Sequence, residues 1–226
     1  MKYGCIGKKL GHSFSREIHA ALGNTEYELC ELAPEALDSF LEARDFSAIN
    51  VTIPYKEAVL PHLAEIDEGA RRIGAVNTIV NRGGRLCGYN TDFYGMRALF
   101  SHAKITVTGK KVVILGTGGT SKTACAVAES LGAAKVLRVG RTGREGALTY
   151  EELYAHHTDA DILVNTTPVG MYPKLSESPV DLSRFPAPAG VVDAVYNPLR
   201  TDLVLSARER GIPAEGGLFM LVAQGV

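Results

Sequence analysis

The 226-residue chain has no apolar run near the roughly 18 residues that a membrane span requires, and its opening MKYGCIGKKLG has no apolar signal core. Charge of one sign is missing too. With 24 basic against 25 acidic residues the net charge is −1, which excludes the electrostatic footprint of a nucleic-acid binder or of a protein held on anionic membrane. Any anionic ligand must be held by local groups. Cysteine is sparse: Cys5, Cys30, Cys87 and Cys125 form no C-x-x-C pair, which excludes a zinc ribbon or a secreted disulfide scaffold and points to reducing cytoplasm. His12 and His19 have no carboxylate or cysteine cluster at ligand spacing, so no metal is expected. Repeats and low-complexity tracts are absent as well.

What is present suits a globular protein of one large or two small domains, since 46% of the residues are hydrophobic. The first part alternates strand and helix: strands over 2–6, 27–32 and 48–53, helices over 13–22 and 34–43. That alternation predicts a parallel sheet with covering helices. A helical stretch over 57–73 is interrupted by Pro61, and two further strands, 75–81 and 85–89, meet across Arg82, Gly83 and Gly84 as a hairpin. The first unit is therefore expected to be mixed. A helix over 92–102 leads to the boundary, placed between 103 and 104.

The stretch KKVVILGTGGTSKTACAVAESL organises the second half of the chain. Val112 to Leu115 is an apolar run without alternation, as in a strand buried on both faces of a parallel sheet. Gly116 ends it, and Gly118 and Gly119 let backbone N–H groups approach a ligand at the N-terminus of a helix from about Thr120. Two motifs compete for this cradle. The dinucleotide pattern G-x-G-x-x-G/A has Ser121 at its third small position; a Walker A loop through Lys122 and Thr123 has Ser121 at its second glycine. Serine is small enough for helix–strand packing, which favours the dinucleotide. Strands over 135–140, 161–166 and 191–195, with helices over 150–155 and 202–210, complete a second doubly wound sheet. The proline-rich stretch 167–189 reads as a surface excursion.

A dinucleotide fold selecting NAD places an acid about 20 residues beyond the glycines. This chain has Gly140, Arg141, Thr142 and Arg144 there, two cations and a hydroxyl that suit a 2′-phosphate. The alternative is a solvated arginine loop. In the first part, Ser13 and Ser15 follow a strand, where Ser13 is either a helix cap or a ligand for hydroxyls. In INVTIPYK, Pro54 ends the strand and Lys56 emerges at its carboxyl edge, beside Asn50 and Thr52. GAVNT and GYNTDFYG interrupt strands with polar residues. Asp92 serves either as a helix cap or, beside an ammonium, as half of a proton-transfer pair.

HSFS, NVTIPYK, GAVNT, YNTD, the GTGG loop, YNP and EGGLFMLVAQ, in this order along essentially the whole chain, resemble the shikimate dehydrogenase family. The ordered set also decides against the Walker reading. The resemblance implies two α/β domains with the active site in the cleft between them. The first, 1–103, is a substrate-binding catalytic domain with a mixed sheet. The second, 104–217, is a Rossmann-like NADP-binding domain, with the helix from 218 packing back toward the first. It implies NADP-dependent interconversion of shikimate and 3-dehydroshikimate, on the route to aromatic amino acids. Lys56 and Asp92 would be the catalytic pair, with Lys56 carrying the proton. Ser13, Ser15, Thr52, Asn77 and Gln224 would hold the substrate, and Tyr196 would close the site near the nicotinamide. Gly116, Gly118, Gly119, Thr120, Arg141, Thr142, Arg144 and Gly217 would hold NADP. The expected partner is the small-molecule substrate, with a homodimer left open.

Three departures and alternatives accompany the resemblance. The family has Asn where Gly140 stands and a second basic residue farther along than Arg144. It also continues beyond the Gln224 region with helical sequence, whereas this chain ends at Val226. The competing functions are a quinate/shikimate dehydrogenase with NAD use, a non-catalytic nucleotide-binding relative, and a P-loop phosphotransferase in which 191–193 imitates a Walker B strand.

Overall fold

A computed structural model of the chain describes residues 1–11, 13–143 and 146–225. Two compact units emerge: Met1–Thr91 with Gly225, and Asp92–Gln224. The first contains β1 (Tyr3–Gly7), α1 (Ser15–Ala21), β2 (Tyr27–Glu31), α2 (Leu37–Ala43), β3 (Ala48–Val51), β4 (Glu65–Ile66), α3 (Glu68–Ile73), β5 (Thr78–Arg82) and β6 (Arg85–Tyr89). Its sheet runs β2-β1-β3-β5-β6-β4. β1 is parallel to β2 and β3, whereas β5 is antiparallel to both β3 and β6, so the sheet is mixed as expected.

The helix expected over 57–73 is not continuous. Pro61 cannot donate a backbone hydrogen bond, and the chain makes only a short 3-10 turn, Leu60–His62, before β4 pairs with β6. Asp67 then restarts the helix by accepting the Gly69 N–H at 3.0 Å, and Gly74, at φ +71°, ends it.

Strand alternation decides which face of this sheet is dry. Ile49 and Val51 of β3 enter a core with Ile6, Leu41, Phe46, Ile79 and Leu86. Ala48 and Asn50 point the other way, where among the described residues the apolar cluster is Cys5, Leu10 and Tyr27 with Tyr3 and Leu29 against them. α1, which has no buried residue, belongs to neither core.

The second unit contains α4 (Thr91–His102, entering from the first unit's last residue), β7 (Lys111–Leu115), α5 (Gly119–Ser130), β8 (Lys135–Val139), α6 (Tyr150–His156), β9 (Ile162–Asn165), β10 (Gly190–Asp193), α7 (Asp202–Glu209), β11 (Ala214–Glu215) and α8 (Leu218–Ala223). Its five strands, ordered β11-β10-β9-β7-β8, are all parallel. Val112 and Ile114 of β7 enter one core, Val113 and Leu115 the other. The run without alternation is thus a strand buried on both faces.

The units divide twelve residues before the expected boundary, at Thr91 rather than 103. Met96, Leu99 and Phe100 of α4 share a core with Ile114, Val192 and Met220, so both α4 and α8 pack within the second unit. Gly95 permits this crossing, because a Cβ there would stand 2.7 Å from the Met220 carbonyl oxygen. The stretch 167–189 also differs from a surface excursion. Val180, Leu182 and Phe185 are buried in the second unit's core, and the Arg210 guanidinium donates to the carbonyl oxygens of Leu182 and Phe185. No helix among the described residues is long and apolar enough to cross a membrane.

Candidate functional site

At the carboxyl edge of the second sheet, β7 has β8 on one side and β9 on the other, which makes the gap between β7 and β9 a topological switch point. Gly116 lies there at φ +120°, and a Cβ on it would stand 2.5 Å from Thr166 Oγ1. That hydroxyl donates to the Leu115 carbonyl at 2.6 Å. Gly116 is therefore dictated by the protein itself. Gly118 and Gly119 differ: a Cβ on either meets no atom within 4 Å. They keep backbone open to solvent at the start of α5, whose N-terminal dipole favours an anion.

Ser121, the residue that fits neither motif, is fully buried and its hydroxyl donates to the Gly118 carbonyl at 2.7 Å. Such a serine fixes the turn as the third small residue of a dinucleotide loop does, by packing helix against strand. Thr120 sits half-exposed in the first turn of α5. Arg141 and Thr142 are exposed immediately after β8, and the Arg141 charge acts on the Tyr150 phenol, opposing the rise that burial causes. Arg144 lies outside the described residues. A Cβ on Gly140 would stand 2.8 Å from Thr117 Cγ2, so the departure at 140 accommodates Thr117. Open glycines, a helix N-terminus and a cation where an acid would select NAD together fit a dinucleotide carrying a 2′-phosphate.

Two loops complete this edge, one after β9 and one after β10. Tyr196 is half-buried in the second, and burial pushes its phenol pKa up. Gly217, expected at the cofactor, has a structural reason of its own. A Cβ there would stand 2.2 Å from the Ala194 carbonyl oxygen, and its N–H donates to the Val195 carbonyl at 2.8 Å. Sequence reasoning missed three buried polar residues beneath these loops: Asn165, Asp193 and Thr201. For Asn165 and Asp193 the available signal was a polar residue ending an apolar strand, and for Thr201 a threonine opening a helix.

The carboxyl edge of the first sheet gathers side chains. Because β5 runs antiparallel to β3, and β6 to β5, the start of β5 and the end of β6 reach the edge where β1 and β3 finish. Ser13, Ser15, Thr52, Lys56 and Asn77 all follow or precede strands at this edge. Ser13 does not cap α1 in the usual way: its Oγ accepts the Ser15 N–H at 3.3 Å and donates to Ser15 Oγ at 3.1 Å. The Tyr27 hydroxyl donates to Asn50 Oδ1 at 2.6 Å, Asn50 Nδ2 to Thr78 Oγ1 at 3.1 Å, and Thr78 Oγ1 to Asn77 Oδ1 at 3.1 Å. Asn77 Oδ1 also accepts the Thr91 N–H at 2.7 Å, which fixes the first residue of α4.

Lys56 is half-buried and its backbone is held by the Val76 N–H to its carbonyl at 2.8 Å. The preceding Tyr55 is buried, with its hydroxyl on the Leu32 carbonyl at 2.5 Å. Burial pushes the Cys5 thiol up to about 11, and the Lys56 charge pulls it the other way. In the second unit, Asp92 is buried in the first turn of α4. Asp92 and Gly95, three residues apart, share a helix face, and the approach of α8 at Gly95 brings Gln224 to that side.

Residues 5–79 match the family model of the shikimate dehydrogenase substrate binding domain. The shikimate dehydrogenase (NADP(+)) of Geobacillus kaustophilus strain HTA426 is 39% identical, over 99% of this chain and 89% of its own length. The chain belongs to the shikimate dehydrogenase family. Its expected fold class, a mixed-sheet unit followed by a Rossmann-like parallel sheet, is the family's. The shikimate 5-dehydrogenase of Thermus thermophilus, solved in complex with NADP(H) and shikimate, is similar with a TM-score of 0.87 at 33% identity, covering 100% of this chain and 90% of that one. The quinate dehydrogenase of Corynebacterium glutamicum in complex with NAD reaches a TM-score of 0.88 at 28% identity, over 100% and 91% of the two chains.

Proposed function

We propose that this oxidoreductase interconverts shikimate and 3-dehydroshikimate with NADP. Membership of the family along 99% of the chain carries the reading, supported by the ligand edges of the two sheets. Bound NADP supplies hydride exchange with the substrate carbon. The chain's own residues bind, orient and move the proton. Lys56 takes the proton from the hydroxyl being oxidised, or returns it in the reverse direction, and Asp92 completes the pair by favouring the ammonium form. Ser13, Ser15, Thr52, Asn77 and Gln224 offer hydroxyls and amides to the substrate's carboxylate and hydroxyls. Asn77 does so from a side chain already rigid through Thr78 and Thr91. Gly116, Gly118, Gly119 and Thr120 hold the pyrophosphate at the start of α5, Arg141 and Thr142 hold the 2′-phosphate, and Tyr196 lines the nicotinamide end.

Absorbance of reduced nicotinamide tests this directly. Mixing the protein with shikimate and NADP should generate NADPH, and mixing with NAD should do so far less. No turnover while NADP still binds would leave a nucleotide-binding relative in its place. A quinate arm with NAD belongs in the same experiment because of the Corynebacterium glutamicum relative, and faster turnover there would reverse the substrate and cofactor assignment.

A further inference from the structure

Beneath the two loops that follow β9 and β10 lies a closed polar knot. Asp193, at the end of β10, is fully buried and accepts three hydrogen bonds. Asn165 Nδ2 donates to its Oδ1 at 2.9 Å, the Val195 N–H to the same oxygen at 2.9 Å, and Thr201 Oγ1 to its Oδ2 at 2.6 Å. Each donor then governs a loop. Asn165 Oδ1 accepts the N–H and hydroxyl of Thr167 at 3.0 and 2.7 Å, and its Nδ2 also reaches the Val169 carbonyl at 3.3 Å. Thr201 caps α7 by accepting the Val204 N–H at 3.4 Å. The two loops are tied together above the knot by the Tyr172 N–H on the Asn197 carbonyl at 3.0 Å.

Burial pushes the Asp193 carboxyl up to about 6, and no cation contributes to offset it. A carboxylate kept dry with only neutral donors is costly, and an apolar residue of similar size would pack there at less cost. The donors explain its presence. One acceptor group with three lone-pair directions in use sets the spacing of Asn165, Val195 and Thr201, and no single apolar residue can do that.

We propose that Asp193 is a positioning residue: through Asn165, Val195 and Thr201 it fixes the loops 166–170 and 194–200, and thereby places Tyr196 for the reaction. This rests on the proposed function for the role of Tyr196, while the bracing itself does not.

The test compares Asp193→Ala, Asp193→Asn, Thr201→Val and Thr201→Ser in the full chain, by amide hydrogen exchange and by steady-state kinetics with NADPH titration. Asp193→Ala should raise exchange in 166–170 and 194–200 at least about tenfold over wild type while leaving β7 unchanged. It should also lower kcat at least about tenfold, since small misplacements of reacting groups are costly, with NADPH affinity within about threefold. Asn keeps Oδ1 for Asn165 and Val195, and the Thr201 hydroxyl can turn to accept from its amide, so Asp193→Asn should recover most of both. Thr201→Val, which loses the bond to Asp193 together with the α7 cap, should move in the same direction, with Thr201→Ser restored. It carries the reading if Asp193→Ala does not fold.

Unchanged loop exchange overturns the brace, with or without turnover. Loosened loops with undiminished kcat overturn the positioning role, as does an Asn variant no better than Ala. If wild type itself does not turn over shikimate, the functional reading fails and the catalytic half of this inference falls with it, while the exchange data still decide the brace.

Discussion

Along the second sheet the carboxyl edge is made of backbone and open space, where a Cβ on Gly118 or Gly119 would meet nothing within 4 Å and hydrogen-bonding residues are kept underneath. Along the first sheet it is made of side chains bonded to one another, from Tyr27 through Asn50 and Thr78 to Asn77. The difference follows from what each sheet buries. The second has an apolar core on both faces, so polar function is confined to strand ends and loops. The first has one full core and one thin face, so Asn50 and Thr78 can sit within strands and reach the edge together. A phosphate needs N–H groups and room, whereas a polyhydroxylated acid needs many separate donors and acceptors at fixed spacing.

The sharpest break between the two edges is Lys56→Ala. Turnover should fall by about 10³-fold, in the range of a lost proton carrier, with NADPH affinity unchanged by fluorescence titration. A variant that turns over normally at saturation but binds the cofactor weakly would merge the two edges into one function.

Asp193 gives the second sheet a pH dependence. Its folded pKa of about 6 stands above the ordinary carboxylate value of 3.8. Its contribution to stability is therefore full below about pH 4 and lost as pH rises through about 6, a change of about 3 kcal/mol. Denaturant unfolding of wild type and Asp193→Asn between pH 4 and 7 should show that difference closing in favour of Asn as pH rises. A constant gap would mean the carboxyl is not titrating in this window.

The glycines of the second edge divide next. Gly116→Ala should cost about 2–3 kcal/mol, because an L side chain at φ +120° is strained and its Cβ meets Thr166. Gly118→Ala, at φ −80°, should change stability by less than about 0.5 kcal/mol and weaken NADP about tenfold. Thermal unfolding beside cofactor titration separates them, and a Gly118 variant with normal NADP affinity would remove the cradle. The smallest effect is selective: Arg141→Ala should weaken NADP about tenfold with little change for NAD, as a charge-assisted contact to a 2′-phosphate requires. Equal effects on both cofactors would make it a solvated arginine.

How legible these features were in the sequence follows the same division. The parallel sheet could be read because 112–115 lacks alternation and its glycines end it abruptly. The mixed sheet could be read from the Gly83–Gly84 hairpin. β4 and β11 were missed because two-residue strands leave no period to detect. The boundary moved to Thr91 because the apolar stripe Met96, Leu99 and Phe100 says that α4 packs, without saying on which sheet. Lys56, Asp92 and the serines emerged as a set from an ordered family pattern, since no local spacing binds them. Asp193 and Asn165 stayed hidden because a polar residue at a strand end looks the same whether it faces water or closes a knot, and Thr201 because a threonine at a helix cap looks the same with or without a second partner.

The thiol of Cys5 offers a gauge of its neighbour. It sits in β1, buried enough to remain protonated up to about pH 11, and within electrostatic reach of Lys56. Loss of the ammonium by substitution leaves that thiol still harder to ionise. Ultraviolet titration of the thiolate should therefore begin at higher pH in Lys56→Ala than in wild type, and an unchanged onset would put the lysine's charge out of reach of β1.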